Sequence, residues 1–366
     1  MADLRLFAGP EARRRIAAHG LRGQDFSWLA GASGGPKWFV LYGLDRYLAG
    51  QFFADRQVPL RMVGSSAGAW RLACYACPSP LKALQTLAER YSGQTYSSKP
   101  DRHEISREAR AMLAAVIESG QGDEAATFIA HNDAYRLYVI ADRARHILKK
   151  ENKALLNTGL AAAALSNMIS RRAINWHFQR HVFHNAFDDG ARELPLFDLS
   201  TRYIPLHQKN VHKALMASGS IPQIMEAVTD VSGAGRSVFR DGGITDYHLD
   251  LPYNQLGGLV LYPHFYASVT PGWFDKFVPW RHARREHFDN VLLVTPGKEF
   301  VQRLPYGKIP DRNDFGRMSE SQRLAYWRAV LVESERLGNY FSELVDMGTD
   351  VASVIEPFAI MREKHV

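Results

Sequence analysis

The apolar and polar positions near the N-terminus repeat one pattern twice: a short apolar run, a turn of small residues, and a stretch with helical spacing. Residues 26–30 are apolar and lead into the glycine-rich turn 31–35, after which residues 37–48 place apolar side chains on one stripe. Residues 60–63 form a second apolar run, which leads into the small-residue turn 64–68. Two successive strand–turn–helix units predict a parallel sheet covered by helices.

Later segments continue this α/β pattern with a long helical stretch between the strands. Residues 104–180 are mostly helical in pattern, with a strand near 136–140. Further strands are predicted from apolar runs at 237–239, 258–262 and 291–294. The expected fold is therefore α/β with three layers, in which helices lie on both sides of a central and mainly parallel sheet.

The chain has no internal repeat and no low-complexity linker, which predicts a single domain over residues 1–366. Residues 79–185 are expected to form a helical insertion, and residues 319–366 a C-terminal helical extension. Within that extension, residues 319–345 are amphipathic, and Gly338 is expected to break the helix.

Composition places the chain among globular proteins, because 46% of its 366 residues are hydrophobic and 23% are charged. The two cysteines, Cys74 and Cys77, exclude a disulfide scaffold and a four-cysteine zinc site. Their C-x-x-C spacing lies inside a predicted helix, which favours core packing. No apolar run approaches the roughly 20 residues of a membrane span, and no signal peptide is apparent, so we expect a cytoplasmic protein.

The charge balance is moderately basic, with 45 Lys and Arg against 38 Asp and Glu and a formal net charge of +7. Arginine clusters at 13–15, 171–172 and 281–285 fit either solvated faces or peripheral contact with an anionic membrane. The aromatic segment 273–280 fits either an interfacial lipid contact or a buried loop. Nucleic-acid binding is not expected, since no RNA-binding aromatic motif or zinc-finger spacing accompanies the basic residues.

Residues 64–68, Gly-Ser-Ser-Ala-Gly, match the G-x-S-x-G nucleophile elbow. In this motif Gly64 and Gly68 leave room for a sharp strand-to-helix turn that exposes the central Ser66. The helix N-terminus beneath the turn favours developing negative charge. The predicted strand before the motif and the predicted helix after it supply the context that the motif requires, so Ser66 is the candidate nucleophile.

The glycine-rich turn before the first predicted helix offers donors for an oxyanion. Gly34 and Gly35 expose backbone N–H groups, and Lys37 adds a positive charge nearby. A phosphate-binding P-loop would need Gly-Lys-Ser/Thr, whereas Lys37 follows Pro36 and precedes Trp38. The dinucleotide fingerprint G-x-G-x-x-G is also missing from this loop.

Asp241-Gly242-Gly243 follows a predicted strand and has two interpretations. A carboxylate at a strand end can reach the serine of a neighbouring strand and act as its base. The same sequence is typical of a simple β-turn.

These elements together resemble the patatin-like phospholipase family. The glycine loop with Lys37 is similar to the family's G-G-G-x-[KR]-G, residues 64–68 to its G-x-S-x-G, and Asp241-Gly242 to its D-G-[GA]. Residues 217–222, Ala-Ser-Gly-Ser-Ile-Pro, are similar to its A-S-x-x-x-P segment. The chain departs from the oxyanion motif at Ser33 and Trp38, which replace glycines, and Pro36 carries no N–H.

The resemblance implies a lipid acyl hydrolase in which Asp241 takes the proton of Ser66 and an acyl-enzyme forms, with no cofactor and no metal. Its substrates would be phospholipids, lysophospholipids or related acyl esters. One alternative is a Ser–His–Asp esterase of the α/β-hydrolase type that uses His248 or His264. Another alternative is an inactive lipid-binding protein that retains the motifs.

The histidines His177, His181 and His184 are spaced i, i+4 and i+7, which would place them on one face of a helix. Such a face could hold a metal, but no carboxylate completes an H-E-x-x-H pattern. A solvated or packed helix face is the favoured interpretation.

Overall fold

The computed structural model of the chain describes residues 2–119 and 124–358. Its strands are β1 Leu4–Ala8, β2 Phe26–Gly31, β3 Leu60–Ser65, β4 Tyr135–Ala144, β5 Phe178–His184, β6 Thr201–Pro205, β7 Val228–Thr229, β8 Val238–Asp241, β9 Leu259–Pro263, β10 Val291–Pro296 and β11 Ile355–Pro357. Its α-helices are α1 Pro10–His19, α2 Tyr42–Tyr47, α3 Ala67–Tyr75, α4 Pro80–Ser92, α5 Arg102–Glu118, α6 Ala125–Ala130, α7 Lys153–Ile169, α8 Gly190–Glu193, α9 Val211–Ser218, α10 Lys298–Arg303, α11 Asp314–Arg317 and α12 Glu320–Asp346.

These strands form one mixed and mostly parallel sheet in the order β11-β1-β10-β9-β2-β3-β4-β5-β6. The run from β10 to β4 is parallel throughout, whereas β1 joins β10 antiparallel and β5 joins β4 antiparallel. The short β8 pairs antiparallel with β4, and β7 pairs with β8. With helices flanking this sheet, the predicted α/β three-layer fold is confirmed.

The central strands β9 and β10 are almost entirely apolar because both faces of the sheet are covered. All residues of β9 and β10 are buried, and so are all nine residues of α3, which packs against β2, β3 and β4. This packing explains the strand–turn–helix pattern of the sequence, in which β2 and β3 are adjacent and parallel.

Helix α12 runs through Gly338 without interruption, so the expected break was wrong. A Cβ at Gly338 would lie 2.5 Å from the carbonyl oxygen of Gly43, and a Cβ at Gly43 would lie 2.2 Å from that of Ser334. The glycines therefore permit close packing of α12 against α2, and the favourable packing energy offsets the low helix propensity of Gly338.

The strand predicted near 136–140 is present as β4, but the region 79–185 also contains β5, which was not predicted, and both strands belong to the central sheet. The histidine helix was also wrong: residues 178–184 form the strand β5. The polar side chains of β5 resemble those of a solvent-facing element, but they are buried against partners elsewhere in the chain. The Arg180 guanidinium binds Asp246 at 2.6 Å, and the ring of His181 packs at 5.0 Å from that of Phe239.

The C-terminal extension consists of α12, a 3₁₀ turn at Gly348–Val354 and β11, which pairs parallel with β1. The rest of the predicted extension, residues 359–366, lies outside the described residues. Among the helices described, none combines the length and apolar character that crossing a membrane would need.

Candidate active site

Ser66 lies at the turn between β3 and α3, with a backbone φ of 53°. Residues with a Cβ rarely adopt this conformation, so the surrounding structure must hold it in place. A Cβ at Gly68 would lie 2.0 Å from the carbonyl oxygen of Gly31, and one at Gly64 would lie 2.7 Å from the amide nitrogen of Ala69. The two glycines that flank Ser66 in the motif thus allow β3, α3 and the end of β2 to approach each other.

The Ser66 hydroxyl donates a hydrogen bond to Asp241 Oδ2 at 2.7 Å, although the two residues lie 175 positions apart. Asp241 is the last residue of β8, and its partner in the sheet is Ala141 of β4. Because β4 is also the parallel neighbour of β3, this pairing carries the carboxylate to the elbow. Both side chains are largely buried, with 7% of each residue exposed.

Burial raises the pKa of Asp241 from its ordinary value of 3.8 to about 6. The hydrogen bonds from Ser66 and from the Gly243 N–H, together with the charges of Arg312 and Lys276, act in the opposite direction. A carboxyl with this pKa is ionised at neutral pH and is a stronger base than an exposed aspartate, as proton abstraction from a hydroxyl requires.

Ser218, at the C-terminal end of α9, connects the elbow to strand β4 through its hydroxyl. Its hydroxyl accepts a hydrogen bond from the Ser66 N–H at 2.8 Å and donates one to the Ile140 carbonyl at 2.6 Å. Two residues further on, the Ser220 carbonyl accepts from the Asp241 N–H at 2.9 Å. The segment 217–222 therefore holds Ser66 and Asp241 through hydrogen bonds. It matches the A-S-x-x-x-P motif, to which sequence reasoning gave no role.

The glycine loop after β2 lies beside the elbow, as predicted. Gly34 and Gly35 line the small cavity of about 50 Å³ that also contains Ser66 and Asp241. Gly35 has a φ of 56°, and a Cβ at Gly34 would lie 2.6 Å from the ring of Phe265. Within the described part of the chain the N–H groups of Gly34 and Gly35 bind no protein acceptor, so both can serve a ligand.

Lys37 occupies a different position from these two glycines. Its N–H donates to the Gly34 carbonyl at 3.3 Å within the turn. Its ammonium lies 4.5 Å from the ring centroid of Tyr266 and 5.3 Å from that of Phe265. Lys37 is not among the described residues that line the cavities around Ser66. This placement fits a lysine that supports the loop through the aromatic rings.

Ala67, the first residue of α3, has a backbone N–H beside Ser66 that sequence reasoning did not consider. It follows the nucleophile and lines the larger cavity together with Ser66 and Gly35. The N–H of a first helical residue has no acceptor within its helix. The G-x-S-x-G motif itself carries the signal for this donor.

A buried carboxyl pair lies beneath the Asp241 turn. Thr245 Oγ1 lies 2.9 Å from Asp142 Oδ1 and 2.7 Å from Asp246 Oδ2. A hydroxyl has one proton, so hydrogen bonds to both carboxyls require that one of them be protonated. Asp246 is bound by Arg180, whereas burial and the charge of Asp246 raise the pKa of Asp142 well above its usual range. Asp142 is therefore the neutral acid of the pair.

The larger cavity, about 680 Å³, extends from Ser66 and has mainly apolar walls. Its apolar lining includes Trp70, Ile105, Ala109, Ile221, Ile224, Met225, Phe315 and Met318. This volume is in the range of pockets that bind drug-sized ligands, and its walls suit an acyl chain.

His248 and His264, the candidates for a triad, are fully buried away from the Ser66 hydroxyl. The Nδ1 of His248 accepts from the Thr270 N–H at 3.1 Å, and that of His264 lies 2.6 Å from the Tyr266 carbonyl. Burial lowers the pKa of His248 well below its usual value and that of His264 to about 3. Neither ring has a described hydrogen bond to Ser66 or Asp241.

The aromatic segment 273–280 is buried in part and exposed in part, so each of the two expected interpretations, a buried loop and an interfacial contact, fits some of its residues. Trp273 lines the small cavity and Phe274 is buried, whereas Phe277 and Trp280 are 67% and 62% exposed. The Lys276 ammonium lies 3.6 Å from the ring centroid of Tyr247, which also lines the small cavity. One side of the segment thus contributes to the site, and the other faces solvent.

Comparison with known proteins agrees with this geometry. The sequence model of the patatin-like phospholipase family matches residues 22–248, a range that contains the glycine loop, the elbow and Asp241. No curated protein matches the chain. The family match covers more than half of the chain, and the protein therefore belongs to the patatin-like phospholipase family of lipid acyl hydrolases.

Proposed function

We propose that the protein is a serine hydrolase that cleaves acyl esters of phospholipids or lysophospholipids through Ser66 and Asp241. The observation that carries the proposal is the direct 2.7 Å hydrogen bond from the Ser66 hydroxyl to a buried carboxylate. The pKa of about 6 of Asp241 fits a base that acts near neutral pH.

In the proposed first half-reaction, Asp241 accepts the Ser66 proton as Oγ attacks the ester carbonyl carbon. The N–H groups of Gly34, Gly35 and Ala67 are the donors proposed for the resulting oxyanion. Asp241 then gives its proton to the leaving alkoxide, the C–O bond breaks, and the acyl group stays on Ser66.

In the second half-reaction, Asp241 takes a proton from water, and the resulting hydroxide attacks the acyl-enzyme carbonyl. Collapse of the intermediate releases the fatty acid, and Asp241 returns its proton to Ser66 Oγ. No cofactor or metal takes part in this scheme. Lys37 would contribute indirectly, by holding the loop that carries Gly34 and Gly35.

A fluorophosphonate probe tests the proposal, because it labels only an activated serine. We expect labelling at Ser66, and we expect both Ser66→Ala and Asp241→Asn to lose at least about a thousandfold in kcat/KM on a lysophospholipid. The matched variants His248→Gln and His264→Gln should each keep at least about a tenth of the activity. A thousandfold loss in a folded histidine variant would favour a triad, and absence of labelling would favour a non-catalytic lipid-binding protein.

Peripheral contact with an anionic membrane is a further part of the proposal. Helix α7 packs against the turns at Arg171–Trp176 and Trp273–Phe277, and each of these three elements carries a large exposed apolar side chain. The exposed apolar side chains in and next to these elements include Ile169, Trp176, Phe277 and Trp280. The exposed Arg172 lies close to Ile169 and Trp176 in sequence. Aromatic side chains beside cations are typical of interfacial binding.

Vesicle sedimentation tests this membrane contact. Binding should increase with the fraction of anionic lipid, weaken as salt shortens the Debye length, and fall in Trp280→Ser. Phe197→Ser, which removes an aromatic residue that is 83% exposed elsewhere on the chain, is the matched control. Equal binding of all three proteins would contradict the assignment of this surface.

A further inference from the structure

Part of the wall of the larger cavity comes from the chain beyond residues 22–248, the range that matches the family. This part is contributed by the segment 312–323, which contains α11 and the start of α12. Two arginines of the segment, Arg312 and Arg323, line the cavity. Two cations in a largely apolar cavity that also contains the nucleophile call for an explanation.

Arg323 is 3% exposed, and its hydrogen bonds are incomplete. Its Nη2 donates to the Gln94 carbonyl at 2.7 Å, while the buried Nη1 has no acceptor in the described part of the chain. The guanidinium lies 4.4 Å from the ring centroid of Phe315 and 4.7 Å from that of Trp327, which fixes its plane. A buried guanidinium with an unpaired N–H group is set up to bind an anion.

Arg312 is closer to the chemistry. It lines both the larger cavity and the small one, which contains Ser66 and Asp241, and its charge lowers the pKa of Asp241. A Cβ at Gly35 would lie 3.5 Å from its Cγ, so its side chain runs beside the glycine loop. Among the described residues, no carboxylate pairs with its guanidinium.

The described residues that line the larger cavity also include one carboxylate, Glu320, whose charge acts on Arg323. The two arginines therefore leave the cavity with a net positive charge beside the nucleophile. An acidic ligand is attracted to such a site, whereas a neutral ester gains nothing from it. A planar guanidinium binds a phosphate with two parallel hydrogen bonds.

We infer that the C-terminal segment forms a phosphate subsite, in which Arg312 and Arg323 bind the phosphate of an acyl lipid whose ester lies at Ser66. This inference rests on the proposed function and specifies its substrate. The phosphate of a glycerophospholipid is separated from the ester by only a few bonds, which fits an arginine that lines both cavities. Arg312 is the specificity-determining residue of this subsite, and the apolar wall receives the acyl chain.

The test compares hydrolysis of a lysophospholipid with hydrolysis of a monoacylglycerol of the same chain length by wild type, Arg312→Gln and Arg312→Lys. The measurements are made at pH 8, where Asp241 is ionised in all three proteins. In Arg312→Gln we expect the kcat/KM ratio of phosphate to neutral substrate to fall about tenfold or more, through KM. Arg312→Lys should recover part of the ratio because it keeps the charge.

Arg317→Gln is the matched control, because Arg317 is exposed in the same segment and lines neither cavity. The kcat/KM ratio of lysophospholipid to monoacylglycerol in Arg317→Gln should equal that of wild type. A fall of threefold or less in Arg312→Gln, or an equal fall on both substrates, would overturn the phosphate subsite. Fluorophosphonate labelling of Ser66 separates this failure from failure of the proposed function, because the probe needs the nucleophile but carries no lipid phosphate.

Discussion

Asp241→Asn should make the protein more stable at pH 8 while it abolishes hydrolysis. Burial raises the pKa of Asp241 from 3.8 to about 6, which means that the folded state disfavours the carboxylate relative to the unfolded chain. The stability contributed by this group is complete below pH 3.8 and is lost as the pH rises through 6. A shift of about two pKa units corresponds to about 3 kcal/mol at pH 8, and to about 1 kcal/mol at pH 4.5.

Asparagine avoids this loss because it carries no charge. Its side-chain oxygen can accept from the Gly243 N–H, now bound to Asp241 Oδ1 at 2.7 Å, and its amide can donate to Ser66 Oγ. Both hydrogen bonds are therefore kept, although Ser66 Oγ becomes the acceptor instead of the donor. We expect the variant to gain up to about 3 kcal/mol in the free energy of unfolding at pH 8 and at most about 1 kcal/mol at pH 4.5.

Urea denaturation of wild type and variant at the two pH values measures this difference. Ser66→Ala is the control, because it removes a hydrogen bond that lowers the pKa of Asp241, and it should therefore lose stability at pH 8. If Asp241→Asn shows the same stability difference from wild type at both pH values, the carboxyl has no raised pKa, and the argument for its basicity fails.

Three further predictions follow from the same geometry. The rate of fluorophosphonate labelling should rise with pH to a plateau with a midpoint near 6, because Asp241 must be ionised, and a midpoint near 4 would contradict its burial. Gly34→Ala should lower kcat at least about 100-fold in steady-state assays, because the new Cβ would clash with Phe265 and move the oxyanion donor, and normal turnover would place that donor elsewhere. Asp142→Asn should change the free energy of unfolding by less than about 0.5 kcal/mol at pH 7, because the amide reproduces the neutral acid beside Thr245, and a loss of 3 kcal/mol in urea denaturation would show that Asp142 is ionised.

Short-range sequence patterns were enough to predict the elbow and the strands β2 and β3, whereas β1 was not predicted. The G-x-S-x-G turn needs glycines at fixed positions for steric reasons, and the contacts at Gly64 and Gly68 follow from them. The interpretation of Asp241 as the base of Ser66 could be favoured over an ordinary Asp-Gly turn only because of the family resemblance. Its pairing with Ser66 depends on β8 joining β4, a long-range contact that local pattern does not encode.

One part that sequence reasoning predicted wrongly is a strand in which polar residues are buried. The helix predicted from the spacing of His177, His181 and His184 is instead the strand β5 from residue 178 onward. Arg180 and His181 of this strand are buried against partners distant in sequence. Arg312 gave no signal, because a lone arginine in a polar stretch of the sequence resembles any surface residue. Only the three-dimensional structure places it beside Ser66 and Asp241.

The position of β1 has a consequence for how the protein is made. This strand, Leu4–Ala8, lies between β10 and β11, so its two hydrogen-bonded neighbours, which begin at Val291 and Ile355, leave the ribosome long after it does. At a synthesis rate of about 5–20 residues per second, its edges stay unpaired for on the order of tens of seconds. An apolar strand without neighbours is a site for aggregation. Newly made chains should therefore depend on chaperones until β10 and β11 are synthesised, and truncations that remove either strand should reduce soluble yield even where Ser66 and Asp241 are retained.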